Sequence, residues 1–285
     1  MTLNFLVIGS QRCATSYIHS IFENEIATDV SKQKELNFFS HHIYTKDLSW
    51  YFSNFENMGR LTGEVCPSYF LMRPAEIKKL KQLFPDLKVV LILRDPVKRM
   101  WSSIHRHWTF SYLKDTKKIG TDFQSLFRFI MTPTNLYFGK YAYTLKKWEK
   151  EFGKDQLQIL FYEDIKDNPK KFMSELYCFL NIAEEPIVRD QHKNVSKVKE
   201  EMDKRINYLI YQTHKREIKN LIKLGYERPK EWDMKYKNSF KNQKIPISLK
   251  ITAFSANIVS QYVYDPVNKV INWHRSYKLK KRCLN

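Results

Sequence analysis

The segment at positions 9–16, Gly-Ser-Gln-Arg-Cys-Ala-Thr-Ser, has the residues of this chain best suited to bind a phosphate-like anion. It directly follows the apolar run 3–8, so we predict a buried strand that ends in a turn and opens into a helix. The backbone N–H groups at such a helix start bind anions. The guanidinium of Arg12 adds a permanent positive charge, and the hydroxyls of Thr15 and Ser16 add hydrogen-bond donors.

This segment departs from the loop that binds nucleoside triphosphates, whose pattern is Gly-x-x-x-x-Gly-Lys-Ser/Thr. Gly9 and Ser16 match the first and last positions, but Ala14 replaces the second glycine and Thr15 replaces the lysine. In nucleotide-binding enzymes that lysine contacts the β- and γ-phosphates, and its replacement in this chain disfavours a nucleotide kinase. We expect Cys13, Ala14, Thr15 and Ser16 to bind a phosphate-like group without hydrolysing a nucleotide.

A second anion-binding segment begins at Arg94, directly after the apolar run 89–93. This run predicts a strand, so Arg94 lies at its carboxyl edge, where ligands bind in open α/β sheets. Pro96 suits the first turn of a helix, and Ser102 then lies about two turns into that helix. Arg94 can bind a phosphate through two parallel hydrogen bonds, with Ser102 completing the site. We interpret Arg99 as a surface cation. Two such segments predict a ligand with a charged group at each end.

These segments resemble the donor site of sulfotransferases that use 3′-phosphoadenosine-5′-phosphosulfate (PAPS). In that family the first loop holds the 5′-phosphosulfate, and a strand-end arginine with a serine eight residues later holds the 3′-phosphate. Arg94 and Ser102 have that spacing. The resemblance implies that Arg12 neutralises charge on the bridging and leaving oxygens of the donor. Heparan-sulfate-type members have a lysine where this chain has Arg12, whereas other carbohydrate sulfotransferases have an arginine.

A third segment, Lys-Glu-Leu-Asn-Phe-Phe at 34–39, is similar to a Lys-Glu-x-x-Phe-Phe segment of heparan sulfate N- and 3-O-sulfotransferases. Its glutamate is their proposed catalytic base, so the resemblance implies that Glu35 takes the acceptor's proton during in-line sulfuryl transfer. From its spacing alone, Glu35 would be interpreted as a surface or helix-start carboxylate. His41 and His42 are rival bases, because other branches of the family use histidine.

The resemblance covers residues 3–183, with a weaker match at 264–273. Within it, Gly-Glu-Val-Cys-Pro-Ser-Tyr-Phe at 63–70 resembles the third strand and following loop of the family. Heparan-type enzymes have a lysine after the glutamate of that segment, near the acceptor, where this chain has Val65. The resemblance therefore implies PAPS use and a carbohydrate or other hydroxylated acceptor, and it does not point to heparan in particular.

Strand and helix patterns alternate along the first two thirds of the chain. Strands are predicted at 3–8, 61–65, 89–93 and 157–161, and helices at 15–25, 74–83, 96–110, 137–152 and 169–180. This order predicts an α/β fold of three layers, with a central parallel sheet flanked by helices. The resemblance implies that the fold is P-loop-like. We expect one sulfotransferase domain, 1–285, with a PAPS-binding core at 1–192, a basic helical lid or acceptor region at 193–250, and C-terminal helices with a basic tail at 251–285.

Basic residues concentrate in the last third of the chain. Residues 193–250 hold sixteen lysines and arginines against seven acids, a large part of the formal net charge of +19. Apolar spacing there predicts one or two amphipathic helices and a loop at 226–244. Such a positive field would attract a polyanionic donor. It would also suit a non-catalytic protein that binds nucleic acid or another polyanion through aromatic residues interleaved with lysines. Those aromatic residues are Tyr226, Trp232, Tyr236 and Phe240.

The composition favours an ordinary folded enzyme. Hydrophobic residues make up 43% of the chain, which excludes general disorder. The eight histidines and four cysteines form no metal-ligand spacing, so we expect no catalytic metal. No apolar run reaches about 18 residues, no signal peptide is evident, and the scattered cysteines suit reduced thiols in the cytoplasm. We expect a small-molecule or glycan acceptor, no nucleic acid and no membrane span, while the oligomeric state is not indicated.

Overall fold

The structure is a computed structural model that describes residues 2–56, 59–113, 122–188, 203–241 and 243–258. The chain divides into two compact units. The first contains Met1–Asp95 and Tyr143–Lys197, and the second contains Pro96–Ala142 and Val198–Asn285. Several expectations concern residues outside the described ranges. They are the family match at 264–273, the basic C-terminal tail, and residues 193–202 of the predicted basic region.

Five parallel strands form the sheet of the first unit. They are β1 (Phe5–Val7), β2 (Thr28–Val30), β3 (Leu61–Val65), β4 (Lys88–Leu93) and β5 (Leu157–Phe161). Their order across the sheet is β2-β3-β1-β4-β5, with β1 at the centre. The chain winds from β1 toward β2 and β3 on one side, then crosses to β4 and β5 on the other. The winding therefore changes direction between β1 and β4, where ligands bind in open α/β sheets.

Twelve α-helices lie within the described residues. In chain order they are α1 (Thr15–Phe22), α2 (Leu48–Phe52), α3 (Pro74–Leu83), α4 (Pro96–Leu113), α5 (Phe123–Ile130), α6 (Pro133–Tyr137), α7 (Tyr141–Phe152), α8 (Tyr162–Asp167), α9 (Pro169–Leu180), α10 (Lys204–Lys223), α11 (Arg228–Lys241) and α12 (Ile247–Ile258). None of these helices is both long and apolar enough to cross a membrane. The same described residues contain no group of three or more His, Cys, Asp or Glu that could hold a metal ion.

Both faces of the sheet are buried. Successive residues of a strand point to opposite sides, so each strand contributes side chains to both faces. On one face Val7 and Ile92 pack with apolar residues of α1 and α9 in a continuous core. On the other face Glu64 accepts hydrogen bonds from the hydroxyls of Tyr51 and Tyr69. The predicted three-layer α/β fold with a parallel sheet is therefore confirmed.

Most predicted boundaries in the first unit agree with the structure. Strands β3 and β5 and helices α3 and α9 have the predicted bounds, and the Asn168 side chain caps α9 by accepting from the N–H of Lys171. The predicted helix 15–25 ends three residues early, at Phe22. The predicted helix 137–152 is wrong at its start, since α6 ends at Tyr137 and α7 begins only at Tyr141. Strand β2 was not predicted.

The second unit is helical, and α10 packs against α4, α11 and α12. The buried residues Ile206, Leu209 and Ile210 confirm the amphipathic pattern predicted for this region. The predicted loop at 226–244 is wrong, because most of it is α11. An apolar stripe in this segment packs on α10 and stabilises a helix where composition alone suggested a loop.

The aromatic residues of α11 form the core of this helix pair. Trp232 and Tyr236 are each only 4% exposed. Tyr236 lies 5.3 Å from Tyr211 of α10, measured between ring centroids, and stacks on Phe240 at 6.2 Å. Rings buried in this way are not available to stack on nucleic-acid bases. The aromatic argument for a polyanion-binding protein is therefore wrong for Trp232 and Tyr236.

We expect Gly63→Ala to destabilise the sheet, because a Cβ at this central position of β3 would lie 2.2 Å from ring atoms of Phe5 in β1. Overpacking of this kind costs about 1–3 kcal/mol. Urea unfolding of the variant measures the loss. Gly59→Ala is the matched control, since a Cβ there meets nothing within 4 Å. Equal unfolding free energies for the two variants would contradict the close packing of Gly63 against Phe5.

Candidate functional site

Residues 9–14 form the turn between the central strand β1 and helix α1. Gly9 has a φ of +106°, and an added Cβ would lie 3.0 Å from backbone atoms of Pro67. Position 9 therefore requires glycine. The carbonyl of Gly9 accepts from the N–H of Ile92, and the N–H of Ser10 donates to the carbonyl of Ile92, both at 2.6 Å. These two bonds attach the turn to β4.

The amino end of α1 follows this turn and is suited to bind an anion. Its N-cap residue is Ala14, whose methyl side chain cannot accept from the first N–H groups of the helix. No acidic residue lies in the first turn, and the positive end of the helix dipole is located here. Thr15 is buried at this end, whereas Ser16 is exposed. The structure thus places Cys13–Ser16 at a helix start, as the sequence predicted.

Arg94 lies directly after β4, next to the turn that follows β1. Its Nη1 donates a hydrogen bond to the main-chain carbonyl of Arg12 at 3.0 Å. Its guanidinium carbon lies 4.1 Å from the centroid of the Tyr162 ring. The structure therefore brings two segments 82 residues apart to one edge of the sheet, at the point where the winding changes direction. A guanidinium held by a stacked ring and a backbone bond loses less freedom when it binds an anion.

The other predicted residue of the second segment, Ser102, is half-buried on α4 in the second unit. Arg99, three residues earlier, is not the surface cation that we expected. It is 0% exposed, and its Nη2 donates to the main-chain carbonyl of Asn135 in α6 at 2.8 Å. Its burial follows from tertiary packing around α4, which the local sequence does not reveal.

Glu35 lies in the loop between β2 and α2, not at a helix start. One carboxylate oxygen is 2.6 Å from the ammonium of Lys34, and 41% of the Glu35 side chain is exposed. A substrate can therefore reach this carboxylate. The rival bases follow in the same part of the chain, where His41 is exposed and His42 is half-buried.

Comparison with known proteins identifies the family of this chain. The family model described as "Sulfotransferase domain" matches residues 3–250, a range that contains Arg12, Glu35, Arg94 and Ser102. This chain belongs to the sulfotransferase domain family.

Two curated relatives show what this sulfotransferase domain is similar to. One is the bifunctional heparan sulfate N-deacetylase/N-sulfotransferase 1 of Caenorhabditis briggsae, 26% identical over 201 residues, covering 64% of this chain and 23% of the relative. Another is the bifunctional heparan sulfate N-deacetylase/N-sulfotransferase 4 of Mus musculus, 26% identical over 199 residues, covering 63% and 22%. The matched region thus spans less than a quarter of the length of these relatives.

A solved sulfotransferase from Alicyclobacillus acidocaldarius shares the fold. The TM-score is 0.60 at 20% identity, over 79% of this chain and 96% of that protein. At this identity the likeness concerns the fold alone, and it agrees with the P-loop-like fold expected from the sequence.

The sulfotransferase domain also contains a buried carboxyl that the sequence analysis did not single out. Glu64 of β3 is 0% exposed, and its Oε2 accepts from the hydroxyls of Tyr51 at 3.0 Å and Tyr69 at 2.8 Å. Burial raises the pKa of Glu64 from its ordinary 4.5 to about 7. A carboxylate between apolar strand residues was the available signal, but the two tyrosines that donate to it cannot be paired with it from sequence.

We expect the difference in stability between Glu64→Gln and the native protein to change with pH. Because the folded pKa of Glu64 is raised, its contribution is fully present below pH 4.5 and is lost as pH rises through about 7. The difference in unfolding free energy between variant and native protein should shift in favour of the variant from pH 5 to 8, by up to about 3 kcal/mol.

Urea unfolding at a series of pH values measures this difference. Subtraction of the native curve at each pH is necessary, because burial lowers the pKa of His214 to about 4 and that of Lys147 to about 7. Both groups titrate in the native protein and in the variant, so their effects cancel. Parallel curves for the two proteins would show that Glu64 does not titrate in this range.

Proposed function

We propose that this sulfotransferase domain transfers a sulfuryl group from PAPS to a hydroxyl or amine of an acceptor. The observation that supports this most strongly is the contact between Arg94 and the main chain of Arg12. This contact brings two guanidinium-bearing segments and the amino end of α1 together where the winding of the sheet changes direction, between β1 and β4. The chain also belongs to the sulfotransferase family. PAPS has negative groups at both ends, which suits two anion-binding segments.

Different residues bind the two charged ends of the PAPS donor. The backbone of Cys13 and Ala14, with the hydroxyls of Thr15 and Ser16, binds the 5′-phosphosulfate at the start of α1. Arg94 binds the 3′-phosphate, and Ser102 contributes its hydroxyl to the same group. The spacing of eight residues between them and the absence of acid from the first turn of α1 support this assignment.

The chemistry that these residues must perform is modest. The acceptor oxygen attacks sulfur, the bond between sulfur and the bridging phosphate oxygen breaks, and the acceptor's proton passes to the carboxylate of Glu35. The desulfated product, 3′-phosphoadenosine-5′-phosphate (PAP), leaves with the bridging oxygen. Arg12 offsets the negative charge that grows on that oxygen, so catalysis consists of positioning and charge stabilisation.

We propose a carbohydrate or another small hydroxylated molecule as the acceptor, with no nucleic acid as partner. The names of the curated relatives refer to heparan sulfate, which supports a glycan. Val65 stands where heparan-type enzymes have a lysine, so the acceptor need not be heparan. A single domain over 1–285 with its PAPS-binding core at 1–192, and a cytoplasmic location, remain predictions from the sequence.

The test is consumption of PAPS labelled with radioactive sulfur, with and without glycans. The glycan panel should contain unsulfated heparosan, its N-deacetylated form and chitooligosaccharides, so that both hydroxyl and amine acceptors are offered. We expect PAP release that depends on one of these glycans, with the label in that glycan. If PAPS is not consumed with any of them and PAP does not bind, the proposed donor is wrong.

A further inference from the structure

The loop that carries Glu35 has an unusual backbone. Glu35 and Asn37 have φ values of +64° and +55°, in the left-handed region that non-glycine residues rarely adopt. Between them, Leu36 is 4% exposed, so the loop is packed against the protein. Such a backbone persists only where surrounding contacts hold it in place.

The side-chain amide of Asn37 makes contacts in two directions. Its Nδ2 donates to the main-chain carbonyl of Glu35 at 2.7 Å. Its Oδ1 accepts from the hydroxyl of Ser68, at close range, and from the thiol of Cys66 at 3.5 Å. The opposite orientation of the amide would place its oxygen against the carbonyl oxygen of Glu35, so the chemistry determines which way it points. Burial raises the pKa of the Cys66 thiol, which keeps it an uncharged donor.

The far side of this bridge is attached to the turn that follows β1. The N–H of Cys66 donates to the carbonyl of Val7 at 3.0 Å, and Pro67 packs against Gly9. Asn37 therefore connects the main chain of Glu35 to the same edge of the sheet that carries the 9–14 turn.

We propose that Asn37 is a positioning residue for sulfuryl transfer. Its amide holds the main chain of Glu35 against Ser68 and Cys66, and so fixes the position from which the carboxylate takes the acceptor's proton. This inference rests on the proposed function, in which Glu35 is the base. Because Asn37 acts through Glu35, its loss should lower turnover and leave donor binding nearly unchanged.

Asn37→Gly is the principal variant, since glycine adopts a positive φ without strain but has no amide. We expect a fall in kcat of about 10- to 100-fold, the range for a misplaced catalytic group, with KM for PAPS and PAP affinity within about twofold. Asn37→Asp keeps the acceptor for Ser68 and removes the donor to Glu35, so it tests the same bond if Asn37→Gly does not fold. Asn181→Gly is the matched control, because Asn181 is another left-handed asparagine (φ +63°), at the end of α9.

The decisive measurement repeats Asn37→Gly in the Glu35→Gln background. If Asn37 acts through Glu35, it should change kcat there by less than about twofold. A loss of kcat equal to that in the native background would overturn the inference and leave the proposed function intact. A Glu35→Gln variant with native kcat would overturn the base assignment itself, and the inference with it.

Discussion

Replacing Glu35 with glutamine should lower kcat for sulfuryl transfer by about 100-fold or more, the effect typical of losing a general base. Glutamine keeps the shape of the side chain and removes only its ability to take the acceptor's proton. Donor binding should change by less than about twofold, because Glu35 is not assigned to the donor. Initial rates at saturating PAPS, together with PAP calorimetry, measure the two quantities separately.

Glu56→Gln is the control for this prediction. The Glu56 carboxylate pairs with Lys32 at 3.0 Å, much as that of Glu35 pairs with Lys34, and it is mostly exposed. We expect it to leave kcat unchanged. His41→Gln and His42→Gln belong in the same series, because either histidine could replace Glu35 as the base. Near-native turnover of Glu35→Gln, with a large loss in one of the histidine variants, would move the role to that histidine.

Replacing Arg94 with alanine should raise the Kd of PAP and the KM of PAPS by about 10- to 100-fold, the loss expected for a hydrogen bond between charged groups. Arg94→Lys keeps the charge but loses the two parallel hydrogen bonds, so it should recover only part of the affinity. Calorimetric titration with PAP measures both variants.

Two controls separate donor binding from other effects of removing Arg94. Lys78→Ala removes one exposed positive charge from α3 and should leave PAP affinity unchanged. Thermal unfolding is needed because Arg94 also bonds the main chain of Arg12, so its loss could loosen the 9–14 turn. An Arg94→Ala variant that is folded and binds PAP as well as the native protein would contradict the assignment of the 3′-phosphate.

The fold and the strand-end positions of the candidate anion-binding residues were predictable because their signals are local. Proline and asparagine at the start of α9, and continuous apolar runs at β3 and β5, define those elements within a few residues of sequence. Placement at the end of a parallel strand was enough to predict that Arg12 and Arg94 share an edge. Their direct contact could not be predicted, since it depends on β1 and β4 being neighbours.

The features that were missed depend on tertiary packing. Strand β2 has only three residues, with a carboxylate in the middle, and is stabilised by pairing with β3. The burial of Arg99 depends on the carbonyl of Asn135, which is 36 residues away. Helix α11 did carry a local signal, the four-residue spacing of Trp232, Tyr236 and Phe240, which the high lysine content obscured.

The most direct test of the central claim is calorimetric titration of the native protein with PAP, with 5′-AMP and ATP in parallel. If the 9–14 turn and Arg94 bind the two ends of the donor, PAP should bind in the micromolar range and the nucleotides that lack a 3′-phosphate far more weakly. Equal affinity for all three nucleotides, or no binding of PAP, would contradict PAPS as the donor.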